Sequence, residues 1–223
     1  MSAIVDNLHS VRARIAAAAR DSGRDPSLVR LVAVSKFHPE SALREAYAAG
    51  QRQFGENYAQ ELSDKARALA DLPDLSLRFI GGLQRNKLKL LVDAHAAVET
   101  LASAAHARAL HERAHAQGRS CEVMIQVNVL GETQKGGIAP DDLPALVEVV
   151  RSLSALRLSG LMTIPPADDL AASERAYRTL ATLATQHQLS ELSMGMSDDL
   201  EIAIQQGATS VRIGTAIFGP RKP

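Results

Sequence analysis

Lys36 closes the run "LVAVSK", where a lysine follows residues that read as a buried strand. An amine partly withdrawn from water is disfavoured as the charged ammonium, and its pKa falls from about 10.4. The neutral amine is a nucleophile towards aldehydes, the property that Schiff-base lysines use. The competing reading is a lysine that extends its charged head out to water. Towards the C-terminus, "GMSDDLEIAIQQGATSVRIGTAIFG" puts Ser197 just before a helical pattern and Gly214 and Thr215 at the end of a strand-like one. Free amide protons and the helix dipole there would face an anion, and Gly214 would let the backbone approach a phosphate closely. Arg212 faces the same side of that strand as Gly214, by period-two alternation. An amine and a phosphate cradle in one cavity suit an aldehyde that carries a phosphate. The plainer alternative is that Ser197 caps its helix and the glycine serves packing.

A second pattern invites metal chemistry. Residues 111–121 read "HERAHAQGRSC": the first five match H-E-x-x-H, and Gly118 and Cys121 fall at the glycine and last-ligand positions of the extended motif. Two histidines at i and i+4 share a helix face and can bind zinc. Gly118, however, stops this helix and Cys121 begins the next strand. In a barrel such a helix belongs to the outer ring, away from the mouth, so no metal site is expected.

The elements that must position these residues alternate between two periodicities. Strand-like runs cover 28–36, 52–57, 77–82, 96–101, 121–129, 156–164, 191–196 and 210–219. Helical patterns lie between them at 39–50, 58–71, 84–92, 103–117, 140–152, 168–188 and 198–206. A further N-terminal helix is marked by Ile4, Leu8, Val11 and Ile15. Asp141, Asp168 and Asp198 each open a "DDL" and are expected to cap a helix, Asp198 with Glu201 in a capping box. Gly50, Gly118 and Gly207 are expected helix stops.

Strict strand–helix alternation predicts a parallel sheet covered by helices, and eight strands predict a (β/α)8 TIM barrel. The expectation is one domain over 1–223 with an extra N-terminal helix; an open doubly wound sheet is the alternative, because closure is not written in a sequence. Chemistry in such barrels sits at the C-terminal strand ends, and phosphate sites are frequently built after strands 7 and 8. Lys36, Asn57, Asn128, Thr163, Ser197 and Arg212 all fall at those ends.

Composition removes other classes. With 25 basic and 25 acidic side chains, no global field draws the chain to nucleic acid or an anionic membrane. Three Tyr, four Phe and no Trp leave few rings for stacking on bases. No apolar stretch reaches the roughly 20 residues of a spanning helix. Cys121 is the only cysteine, which is compatible with a reducing compartment, and the cytoplasm is the expected location.

Beyond these patterns, the segments "AVSKFHP", "FGENYAQEL", "IGGLQRNKLK", "QVNVLGETQKGG", "GLMTIPP" and "LSMGMSDDLEIAIQQGATSVRIGTAIFGPR" closely resemble the pyridoxal 5′-phosphate (PLP) homeostasis proteins, relatives of the alanine racemase barrel. The likeness runs from the first strand to the C-terminus. It implies that Lys36 forms the internal aldimine with PLP. Ser197 and the backbone of Gly214 and Thr215 would hold the phosphate, and Arg212 would face the pyridine nitrogen. Asn57 would line the cavity and Met196 would pack near the ring. Two positions depart from the family pattern: Gly82, usually histidine, and Ala102, often near an aspartate. Neither belongs to the lysine, phosphate or pyridine contacts.

A guanidinium opposite the pyridine nitrogen keeps its own proton, so the ring nitrogen should stay unprotonated and the ring a poorer electron sink than with an aspartate partner. A racemase also needs a base opposite Lys36. In the related racemases a further domain supplies a tyrosine; here the sequence ends soon after the last strand, and Tyr47, Tyr58 and Tyr177 fall in predicted helices. The resemblance thus implies a binder of PLP, serving vitamin B6 homeostasis without robust turnover and delivering PLP to apo PLP-dependent enzymes. An amino-acid racemase or another weak PLP enzyme is the alternative, and a monomer is expected. Glu132 and Lys135 are placed in a loop at the mouth, Lys87 and Lys89 on a basic helix face, and Arg221 and Lys222 in the tail.

Overall fold

Runs rich in Val, Ile and Leu form parallel strands because both of their faces are covered. The protein, seen as a computed structural model, is described over residues 2–166 and 168–220. The strands are β1 Arg30–Val34, β2 Gln53–Glu56, β3 Ser76–Phe79, β4 Ala97–Leu101, β5 Cys121–Gln126, β6 Leu156–Met162, β7 Glu191–Ser193 and β8 Ser210–Ile213. Each pairs in parallel with the next, and β1 also pairs with β8, so the sheet closes into a barrel in sequence order. The open-sheet alternative is therefore excluded. The helices are α1 Ala3–Asp21, α2 Glu40–Ala48, α3 Ala59–Ala68, α4 Leu88–Asp93, α5 Ala104–Ala116, α6 Leu143–Arg151, α7 Leu170–Gln186, α8 Leu200–Gln205 and α9 Thr215–Phe218. No helix among the described residues is long and apolar enough to cross a membrane.

Period-two alternation divides each strand between two environments. Leu31, Ala33, Phe54, Leu77, Phe79, Val98, Val123, Ile125, Leu161, Val211 and Ile213 join the helices in the main apolar core. The opposite faces fill the barrel, where polar and charged side chains join buried Val32, Ala97, Met124 and Met162. Arg78 on β3 pairs with Glu99 on β4, and its Nη2 donates to Glu122 Oε1 at 3.0 Å. Ser193 Oγ on β7 donates to Glu99 Oε2 at 2.6 Å and accepts from Arg212 Nη1 on β8 at 2.7 Å. Strands β4 and β7 are not neighbours, so Glu99 and Ser193 meet only across the interior. Burial works to lower the Arg78 pKa, but Glu99 and Glu122 more than offset it and hold the guanidinium above its ordinary value. For Arg212 burial prevails and lowers the pKa, with Glu99 opposing.

Several boundaries differ from the expectations. The segment 210–219 is not one strand: β8 ends at Ile213, Gly214 takes φ −113° and ψ −81°, and the short α9 follows. The run "TAIF" is apolar because Ile217 is buried, with its carbonyl accepting from Asn7 Nδ2 of α1 at 3.0 Å. Likewise β1 stops at Val34, which leaves Lys36 in a turn rather than on the strand. The pattern at 84–92 opens with a 3-10 turn, Arg85–Lys87, before α4. The caps of the three "DDL" helices are Asp142, Asp169 and Asp199, each the second aspartate, and only Asp169 accepts a first-turn amide, from Ala172 at 2.8 Å. The capping box at Asp198 does not form; Glu201 pairs with Arg14 instead, at 2.9 Å. Gly50, Gly118 and Gly207 follow helix ends at φ 84°, 63° and 100°, as expected of helix stops.

Glycine 81, just past β3, has a steric duty towards the mouth. A Cβ there would lie 1.9 Å from the carbonyl oxygen of Asn57, with no flexible side chain to give way. Gly81→Ala is expected to destabilise the protein by roughly 1–3 kcal/mol, measured by urea unfolding. Ser193→Ala removes the acceptor of Arg212 and the donor to buried Glu99 together, and should cost roughly 1–3 kcal/mol in the same assay.

Candidate functional site

At the C-terminal end of the strands lies a cavity of about 370 Å³, within the range of small-molecule sites. Lys36, Asn57, Met196, Ser197, Arg212, Gly214 and Thr215 all line it. The fold thus gathers at one wall residues from the first loop and the last, because β1 and β8 are neighbours in the ring. Lys36 is half-buried in the turn after β1, and the next residue, Phe37, has the positive φ of 67° that side-chain-bearing residues rarely adopt.

Arg212 is buried and held rigidly. Its backbone N–H donates to the Gly195 carbonyl at 2.9 Å, Nη1 to Ser193 and Nη2 to the Thr163 carbonyl at 2.9 Å. Only two of the five N–H groups of a guanidinium are consumed by these side-chain bonds. Asn57 Oδ1 is buried and has no hydrogen-bond partner among the described residues, an acceptor suited to a polar ligand. At Gly214 a Cβ would come within 3.3 Å of the Val34 carbonyl oxygen, so a side chain would crowd this edge of the cavity.

The loop that carries Ser197 is fixed by Asp199, which the sequence patterns did not single out for this. Asp199 is buried; Oδ1 accepts from the Met196 N–H at 2.6 Å and Oδ2 from the Tyr177 hydroxyl at 2.6 Å. The doubled aspartate of "SDD" was the available signal. His38, Ile164 and Asp198 also line the cavity, and the His38 ring stacks on Phe218 of α9 with centroids 5.0 Å apart. Two other strand-end residues stand apart from the cavity wall. Thr163 contributes its carbonyl to Arg212 while its hydroxyl donates to the Val127 carbonyl at 2.9 Å. Asn128 braces the following loop, donating to the Glu132 carbonyl at 2.8 Å and accepting from the Glu132 N–H at 3.1 Å.

None of the tyrosines lines this cavity. Tyr177 is fully buried, and burial together with its bond to Asp199 pushes the phenol pKa up, so it is unsuited to act as a base. Tyr47 bonds Asp74 on the outside of the barrel. Tyr58 precedes α3 rather than lying within a helix, exposed beside Phe37 with ring centroids 5.2 Å apart. Gly82 has nothing within 4 Å of an added Cβ, so a side chain there would have open space.

The H-E-x-x-H residues sit on α5. His111 Nδ1 accepts from the Ala155 N–H at 3.3 Å, and its ring stacks on that of His115. Cys121 is buried at the start of β5, where burial pushes its thiol up to about 12. Among the described residues no three His, Cys, Asp or Glu side chains form a metal-holding group. Glu132 and Lys135 pair at 2.8 Å, and Lys89 pairs with Asp93 at 2.5 Å. Arg221 and Lys222 lie outside the described residues.

Residues 5–222 match the family described as "Alanine racemase, N-terminal domain". The chain is 50% identical over 224 residues to the pyridoxal phosphate homeostasis protein of Pseudomonas aeruginosa, covering 99% of this chain and 97% of that one. It is 43% identical over 229 residues to the protein of the same name from Escherichia coli, with 99% and 98% covered. PipY of Synechococcus elongatus, solved with PLP bound, superposes with a TM-score of 0.87 at 39% identity, covering 97% of this chain and all of that one. The chain therefore belongs to the pyridoxal phosphate homeostasis proteins, a family built on the alanine racemase N-terminal domain.

Proposed function

We propose that this protein binds PLP in the cavity at the barrel mouth and serves vitamin B6 homeostasis as a carrier rather than as an enzyme of rapid turnover. The observation that carries the reading is the single wall shared by Lys36, Ser197, Arg212, Gly214 and Thr215. PLP presents an aldehyde, a phosphate and a pyridine nitrogen, and this wall offers an amine, a hydroxyl with backbone amides, and a guanidinium. Lys36 attacks the aldehyde carbon through its neutral amine and holds it as a Schiff base, with loss of water. Ser197 and the amides of Gly214 and Thr215 take the phosphate. Arg212 faces the pyridine nitrogen, Asn57 contributes its buried acceptor and Met196 packs near the ring.

The same residues limit the chemistry. Arg212 retains its proton, which leaves the pyridine nitrogen unprotonated and the ring a poor electron sink. No tyrosine stands at the cavity as a second base, and Tyr177 is committed to Asp199. A Schiff base that is stable but reversible suits storage, and delivery to apo PLP-dependent enzymes by a monomer completes the reading.

Borohydride reduction of the PLP-loaded protein, followed by peptide mass spectrometry, is expected to place a pyridoxyl adduct on Lys36; an adduct elsewhere, or none, would sink the Schiff-base assignment. Incubation with L- and D-amino acids is expected to give racemisation far below the roughly 10 s⁻¹ typical of enzymes. Turnover near that rate would favour the racemase instead.

A further inference from the structure

The residue that matters most to this reading lies beyond the end of its strand. The last barrel bond on this segment is from the Ser35 N–H to the Gly55 carbonyl, at 3.0 Å. From there the backbone around Lys36 is held by α3. Lys65 Nζ donates to the Ser35 carbonyl at 2.7 Å, so it grips the peptide group before Lys36. Glu61 Oε1 accepts from the Phe37 N–H at 2.7 Å and so grips the peptide group after it. Lys65 and Glu61 are themselves paired at 2.7 Å, one helical turn apart. Behind them, Glu56 Oε1 accepts from Lys65 at 2.6 Å and from Ser35 Oγ at 2.6 Å.

Two features make this more than a surface ion pair. Lys65 and Glu56 are buried, so removing either leaves the other an uncompensated buried charge. Phe37 also holds its positive φ of 67°, a strained conformation that persists only where the surroundings over-determine it. The Glu61 bond to Phe37 N–H acts directly on that residue.

We propose that Lys65 and Glu61 are positioning residues: by fixing the two peptide groups that flank Lys36, they set the direction from which its amine reaches a ligand carbonyl. The inference rests on the Schiff-base role of Lys36 proposed above. A long, flexible side chain reacts faster when its root is fixed in a near-attack orientation, and a small misplacement is costly.

The test compares Glu61→Ala, Glu61→Gln and Lys65→Met with the wild type. Schiff-base absorbance is followed after rapid mixing with PLP, and affinity is measured separately for pyridoxine 5′-phosphate, which keeps the phosphate and ring but lacks the aldehyde. Glu61→Ala is expected to slow Schiff-base formation about tenfold or more while pyridoxine 5′-phosphate binds within about twofold of wild type. Glu61→Gln, which keeps an acceptor oxygen at the same reach, is expected to restore most of the rate. Lys65→Met strands buried Glu56; if it does not fold, the Glu61 variants, which leave the Lys65–Glu56 pair intact, carry the test alone. Wild-type rates in Glu61→Ala, or equal losses for PLP and pyridoxine 5′-phosphate, would overturn the proposal. A wild-type protein that forms no Schiff base at all would overturn the reading beneath it, and this inference with it.

Discussion

Placing a guanidinium inside a barrel obliges much of the interior to answer it. Arg212 is buried, and an unpaired ion there would cost several kcal/mol after relaxation. Ser193 meets it with an acceptor lone pair, and can do so rigidly because its own proton goes to Glu99. Glu99 is in turn charge-balanced by Arg78, and Arg78 by Glu122. The chain of contacts runs from the mouth towards the opposite end of the barrel, and each member is tolerable only because the next is present. Polar filling of this kind gives up some apolar burial and fixes the direction of one side chain at the mouth.

On the outside, apolar packing against the helices adds to what the interior supplies. Leucine, valine and isoleucine from alternate strand positions meet the inner faces of the helices, while Arg78, Glu99, Ser193 and Arg212 face the axis beside apolar residues such as Val32, Met124 and Met162. That division explains why charged residues recur within otherwise apolar strands without marking exposed edges. It also explains how a short helix such as α8 can be positioned without a side-chain cap: Asp199 is spent on Met196 and Tyr177 instead.

Much of this was legible in the sequence, and the omissions have physical causes. All eight strands overlap the runs read as strands, and the residues proposed to hold the ligand converge on one cavity. Strand ends were overrun wherever apolar residues continue past the last ladder bond, as in "TAIF", because burial and strand pairing leave the same hydrophobic signature. Glu99 and Ser193 were invisible as partners, since a contact across the barrel has no fixed sequence spacing. Lys65 and Glu61 were hidden differently: an i,i+4 charge pair on a helix reads as solvated surface, and nothing in α3 alone shows that its face covers the turn at Lys36. Ring closure, too, depends on the pairing of β1 with β8, which no local pattern encodes.

That pairing has a consequence for when the cavity exists. Lys36 follows β1, Gly214 and Thr215 follow β8, and the His38–Phe218 stack lies across the same seam. The wall is thus assembled from opposite ends of the chain, joined by the contacts with the greatest loop-closure cost. A chain still emerging during synthesis, with seven strands made and the eighth unborn, has Lys36 but neither Gly214 nor Thr215 beside it. Both halves of the wall come together only in a chain whose barrel has shut.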